Sequence, residues 1–210
     1  MTTNDRIYRS PMALVGGVLL LALAAWLGID AMVQGEGNTP WQALGGLLTF
    51  VPVVVAFTLR PAVFADDNRL RVRNPLRVVT LPWGEIVSLR AGYTNEAVDK
   101  EGRKVQLWAI PVSLRGRKRA ARRQQRRDAQ ESAAAQGKRV RGSLFGPGGD
   151  VDDGPLRDQS DKIMDELRAM HEAREKANTS QGEVTVRWAY EIIAPTVVGV
   201  VLLVVFGALG

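Results

Sequence analysis

The stretch Arg69-Leu70-Arg71-Val72-Arg73 spaces three guanidinium groups two residues apart, and residues two apart in a β-strand share a face. Guanidinium forks on one face are suited to hold a phosphate jointly through paired N–H donors. A second basic feature lies further on, where Arg117, Lys118, Arg119, Arg122, Arg123, Arg126 and Arg127 crowd into eleven positions. Its apolar residues are only Ala120 and Ala121, so it would adhere to an anionic surface by charge rather than insert. Each such cation beside an anionic leaflet contributes about 1 kcal/mol before screening. Nucleic acid attracts the same charge, yet no aromatic residue interleaves with the arginines to stack on bases, which disfavours it as a partner. Plain readings compete with both features. Alternation is also the mark of any half-exposed strand, and a charge run is also an ordinary solvated linker.

Other chemistry is excluded or unsupported. The chain has no cysteine, so disulfides, thiolate metal sites and cysteine nucleophiles are ruled out. One histidine, His171, cannot make a histidine zinc cluster. It is expected as a helix-surface imidazole rather than a base, since no partner converges on it in the sequence. Gly-rich phosphate loops, nucleophile elbows and paired carboxylates in a strand-turn-helix context are absent. Asp152-Asp153 falls in a Gly- and Asp-rich stretch that would hold no catalytic geometry. No catalytic, cofactor-binding or metal-binding residue is therefore assigned, and the chain reads as non-enzymatic.

What must position the arginines is set by three charge-free apolar runs, Met12–Ile29, Trp41–Leu59 and Ile192–Gly210. At roughly 1.5 Å per residue such runs extend about 27–29 Å, the depth of a bilayer core. The first exceeds the usual apolar core of a signal peptide and is followed closely by a second, which favours a retained span. Between Arg60 and Arg187 there are 26 Lys/Arg against 18 Asp/Glu, and both named arginines flank spans. The positive-inside rule then places the N-terminus and the long central segment in the cytoplasm of a multi-pass cell-membrane protein. The loop 34–40 and the C-terminus fall outside. Trp41, Trp188 and Tyr190 lie at span edges, where amphipathic rings favour the headgroup zone.

The expected division is an N-terminal tail 1–11, spans 12–33 and 41–59, a β domain 60–114, a basic and disordered insertion 115–159, an amphipathic helix 160–178, a connector 179–188 and a third span 189–210. In the β domain, Ala62–Phe64, Arg69–Arg73, Leu76–Leu81, Glu85–Ala91 and Lys104–Val112 read as about five strands, punctuated by Asp66-Asp67-Asn68, Asn74-Pro75, Pro82-Trp83-Gly84 and a hairpin turn at Asp99–Gly102. Some fifty residues are few for an independent core, so the sheet must borrow from elsewhere. The insertion's composition cannot bury enough apolar surface to offset chain entropy. In the helix, Ser160 is placed as N-cap, and Ile163, Leu167 and Met170 recur at i, i+4 and i+7 as a stripe to close the core. The fold class is an α+β membrane protein: three transmembrane helices and a cytoplasmic antiparallel sheet or barrel with one amphipathic helix.

The run Phe57-Thr58-Leu59-Arg60-Pro61-Ala62-Val63, followed by Asp66, Leu70, Val72-Arg73-Asn74-Pro75 and Pro82-Trp83, resembles the bacterial pleckstrin-homology-like (PH-like) domains of actinobacterial membrane proteins, a family that includes the low-molecular-weight protein antigen group. The likeness covers roughly residues 12–113. It implies a PH-like barrel and membrane residence and assigns no activity. Arg71-Val72-Arg73 also resembles the second half of the basic pattern with which eukaryotic PH domains bind phosphoinositides. The expected function is a non-enzymatic, membrane-anchored scaffolding or interaction module whose partners are the bilayer and a membrane or cytoplasmic protein. Recognition of anionic lipid by the basic insertion or by Arg69, Arg71 and Arg73 is the alternative, and a transporter component the third reading.

Overall fold

The structure, a computed structural model, describes residues 5–111 and 155–208, with the backbone alone described for 155–158. Helix α1 (Pro11–Gln34) starts at Ser10, whose hydroxyl accepts from the Ala13 N–H, and carries proline in its first turn. Helix α2 (Thr39–Val54) runs on as a π-helical turn, Val55–Leu59, three residues beyond Pro52. The wider turn is closed by the Arg60 N–H donating to the Val55 carbonyl at 2.9 Å. Helix α3 (Pro155–Arg174) comes next in the chain, and helix α4 (Tyr190–Ala208) after it packs against α2. All three helices are long and apolar enough to cross a membrane. Close approach between α2 and α4 depends on Gly199, where a Cβ would meet the Thr49 N–H nitrogen at 2.6 Å and the Gly45 carbonyl at 2.8 Å.

Among the described residues the β domain has two antiparallel sheets. The larger is ordered β1 (Arg6–Tyr8), β2 (Ala62–Ala65), β3 (Arg69–Arg73), β4 (Arg77–Pro82), β8 (Thr185–Trp188). The smaller is ordered β5 (Ile86–Ala91), β6 (Asn95–Asp99), β7 (Lys104–Gln106). Alternation decides the faces: Val63, Ala65, Leu70, Val72, Val79 and Leu81 point into one core with Ile86, Leu89, Ala97 and Val105 of the second sheet. Trp83, in a 3-10 turn between the sheets, is fully buried and its indole N–H donates to the Asp66 carbonyl at 2.8 Å. At the β6–β7 hairpin Gly102 takes φ +77°, a conformation L residues avoid, and the buried Asp99 carboxylate accepts from the Arg103 N–H at 2.8 Å.

Helix α3 (Pro155–Arg174) closes the core with Met164 and Leu167, while Ile163 and Met170 pack at its margin. Several expectations need correction here. The helix begins at Pro155, inside the stretch assigned to the insertion, so Ser160 is a buried residue within it and not its N-cap. It ends at Arg174, and Asn178–Ser180 forms a separate 3-10 turn. His171 is not a surface imidazole: it is buried, with Nε2 2.7 Å from the Ile86 carbonyl oxygen, at the spacing of a hydrogen bond in which the ring N–H donates. The tail 1–11 and the connector 179–188 both contain strands, β1 and β8, which flank the larger sheet on its two edges. These are what the fifty-residue domain borrows. The expected disordered character of the insertion concerns residues outside those described, apart from the helix start.

Candidate functional site

Pairing in the larger sheet determines which side chains meet on its outer face. Residues directly opposite in antiparallel strands share a face. Phe64 stands opposite Arg71, which stands opposite Thr80. Arg73 stands opposite Val78, which stands opposite Arg187 of β8. With Leu70 and Val72 committed to the core, Arg69, Arg71 and Arg73 must face outward, where the sequence placed them.

These rows floor a cavity of about 510 Å³. Among the described residues five arginines line it, Arg60, Arg69, Arg71, Arg73 and Arg187, with Phe64, Trp188 and a single carboxylate, Glu191. Phe64 acts as a spacer beneath two of the cations. The Arg71 guanidinium carbon lies 4.5 Å from the ring centroid and that of Arg73 lies 5.9 Å from it, both in cation–π range. Stacking on an aromatic face leaves the in-plane N–H forks free to point at a ligand.

Carboxylates neutralise the ring only in part. Arg60, whose side chain is 10% exposed, donates to Glu191 at 2.9 Å, and its Nε is buried without a partner among the described residues. Arg69 pairs with Asp66 at 3.2 Å and Arg71 with Asp5 at 3.6 Å. Among the described residues Arg73 and Arg187 have no ion-pair partner. Burial first, and then the charges of Arg60, Arg9 and Arg71, hold the Arg73 guanidinium below its ordinary range, with Glu191 opposing. Such crowding of like charge marks a place where a bound anion would relieve repulsion as well as gain hydrogen bonds.

Position adds to charge. Arg60 follows the π-helical turn that ends the second membrane-length helix, and Glu191 is the second residue of α4. The cavity therefore sits where two membrane-length helices enter the sheet. The sequence reading named Arg69, Arg71 and Arg73 as candidate anion contacts, treated Arg60 and Arg187 as span flanks and Trp188 as an interfacial ring, and gave Phe64 and Glu191 no part in a site. The other proposed contacts, Arg117, Lys118, Arg119, Arg122, Arg123, Arg126 and Arg127, lie outside the described residues. Among the described residues no three His, Asp or Glu side chains converge as a metal site. The cavity lining among the described residues offers guanidinium groups and one ion-paired carboxylate, a set whose charge suits an anion.

Residues 60–142 match the family model described as Bacterial PH domain. The match supports a bacterial PH-like domain in this part of the chain, whose described residues form an α+β arrangement with two antiparallel sheets and three candidate membrane helices. Such a domain suggests a protein-interaction or lipid-binding module. No curated protein matches the chain, and no solved structure does.

Proposed function

We propose that the chain is a non-enzymatic, membrane-anchored interaction module whose PH-like domain receives the phosphate-bearing headgroup of an anionic lipid. The observation that carries this reading is the ring of five arginines around a cavity of about 510 Å³ with one carboxylate in its lining. Arginine forks match phosphate oxygens pairwise, and their fixed geometry reduces the ordering cost of binding. Headgroup lipid fits better than a soluble anion because the cavity adjoins the ends of α2 and α4. The span-flanking charges support placing this side of the molecule on the cytoplasmic face of the cell membrane, with loop 34–40 and the C-terminus outside. The basic run 117–127 would add non-specific attraction to the same leaflet. Kinship with the actinobacterial low-molecular-weight protein antigen group, carried by the Arg60–Asn74-Pro75 and Pro82-Trp83 runs, belongs to this reading. Recruitment of a protein partner would then follow lipid engagement.

The test is lipid retention by the full chain. The protein is reconstituted in nanodiscs of phosphatidylcholine alone or mixed with phosphatidylglycerol or phosphatidylinositol, then extracted, and its bound lipid is identified by mass spectrometry. Selective retention of anionic lipid that is lost in Arg71→Gln/Arg73→Gln/Arg187→Gln is the expected result. Retention unchanged in that variant, or abolished only by neutralising 117–127, would overturn the cavity assignment. A parallel titration with inorganic phosphate separates headgroup recognition from binding of free phosphate, which would replace lipid if it were equally tight.

A further inference from the structure

On the other side of Trp188 lies a second groove, of about 370 Å³, with a different chemistry. Four large apolar side chains open onto it and remain substantially exposed: Phe57 44%, Leu76 41%, Trp108 45% and Trp188 53%. Exposed aromatics gathered at one place on a small domain mark a surface that something covers. Two contacts tie this groove to the membrane-length helices. Phe57 belongs to the π-helical turn that ends the second candidate span, and the Trp108 ring meets it edge-on at 5.6 Å and 73°. Leu76, on the β3–β4 turn, accepts at its carbonyl from the Ala189 N–H at 2.9 Å, immediately before α4. The apolar surface is thus continuous with the ends of two spans and brings two loops of the β domain down to that level. Among the described residues its lining carries two cations, Arg77 and Lys104, and one carboxylate, Glu96, which accepts from the Thr94 hydroxyl.

We infer that this groove is a membrane-docking face, with Trp108 and Leu76 seated in the interfacial zone of the bilayer and Arg77 and Lys104 reaching back to the phosphate level. Indole rings favour that zone because one edge is apolar and the other can donate a hydrogen bond. Long cationic side chains at its margin extend their stems over apolar surface and keep their charge at the headgroups. The bilayer is the occupant because Phe57 already belongs to a helix of membrane length, so the same lipid that surrounds the helix end meets Trp108. The inference stands apart from the arginine cavity. It concerns how the domain is seated, whichever headgroup it binds.

The absence of cysteine makes the test direct. Full-length Trp108→Cys, Leu76→Cys and Glu101→Cys chains are labelled with an environment-sensitive fluorophore and reconstituted in phosphatidylcholine vesicles, which contain no net-anionic lipid. Glu101 is an exposed residue on the β6–β7 turn and serves as the reference. Labels at 108 and 76 should be quenched several-fold more strongly than the label at 101 by a lipid nitroxide placed near the acyl-chain carbonyls, and protected from aqueous iodide. Iodide reaching 108 and 76 as readily as 101 would overturn the inference. So would protection that disappears on diluting the protein in the bilayer without nitroxide quenching, which would give the groove to a second copy. Leu76→Cys retains the Phe57–Trp108 contact, so the test survives a Trp108→Cys chain that fails to fold. Because the vesicles are zwitterionic, failure of anionic-headgroup recognition would leave this result unaffected.

Discussion

The Asp5 carboxylate lies 3.6 Å from the Arg71 guanidinium, so a residue ahead of the first membrane-length helix reaches a cation of the site that follows the second. The contact is partly exposed at both ends, which makes it weak and displaceable. Asp5 is thereby an internal competitor for whatever anion Arg71 would hold. Asp5→Asn should raise anionic-lipid retention about two- to fivefold at low salt, corresponding to roughly 0.5–1 kcal/mol for a surface pair. The gain should shrink at about 0.5 M salt as screening removes the competition. Reduced retention would show that Asp5 orients Arg71 instead of competing for it.

Arg73 differs from its neighbours in having no carboxylate partner among the described residues while facing three other arginines electrostatically. Arg73→Gln should lower anionic-lipid retention about tenfold, the loss of one charge-assisted contact of roughly 1.4 kcal/mol. Its thermal midpoint should stay level or rise, because like-charge repulsion falls. Arg73→Lys should recover only part of the affinity, since an ammonium cannot present a planar fork. Lipid mass spectrometry and melting curves on the same preparations check both halves.

Gly199 and Gly46 make a matched pair in the membrane-length helices. A Cβ at Gly199 would press on the backbone of α2, at the Thr49 nitrogen and the Gly45 carbonyl oxygen, whereas a Cβ at Gly46 would meet nothing within 4 Å. Gly199→Ala should therefore destabilise the α2–α4 pair by about 1–3 kcal/mol, the usual cost of overpacking. Gly46→Ala should be neutral or slightly stabilising, as alanine favours helix. Thermal unfolding in mild detergent distinguishes them.

Asp99 provides a pH handle. Its side chain is 1% exposed. Burial alone would raise its pKa, but the Arg103 guanidinium at 2.6 Å and the Arg103 N–H outweigh burial and hold the carboxyl below its ordinary value. A depressed carboxyl contributes stability that is fully present above the unfolded value of about 3.9 and is lost as pH falls through the folded one. Melting temperatures should fall on acidification below about pH 4, and Asp99→Asn should remove that part of the acid limb. At neutral pH Asp99→Ala should cost about 1–3 kcal/mol by removing the buried carboxylate that accepts from the Arg103 N–H and guanidinium.

What could be read from the chain alone was what is local. The alternation in Arg69–Arg73, the break at Asn74-Pro75 and the Asp99–Gly102 turn each declare themselves within a few residues, and the structure has them as β3, the β3–β4 turn and the β6–β7 hairpin. Strands β1 and β8 carry no such signal. Arg6–Tyr8 is three residues long, and its partners Val63, Phe64 and Ala65 lie more than fifty positions away. The cavity was half legible for the same reason, because Arg187 comes opposite Val78 only through β4–β8 pairing. In α3 two overlapping stripes share Leu167. Ile163, Leu167 and Met170 look the more apolar, yet Met164, Leu167 and His171 are the ones buried. Periodicity could not reveal that the Ile86 carbonyl is waiting for an imidazole N–H.

Each of the three membrane-length helices runs almost without a linker into the same five-stranded sheet: β1 precedes α1, β2 follows α2 and β8 precedes α4. A ligand that diffuses in the membrane plane meets such a platform in two dimensions, never having to be captured from bulk. For the headgroup ligand proposed above, the effective concentration at the arginine ring would be set by its mole fraction in the leaflet, and a contact far too weak to hold a soluble anion would still be occupied. Occupancy would track lipid composition in a graded, rapidly reversible way, as a gauge does and a latch does not.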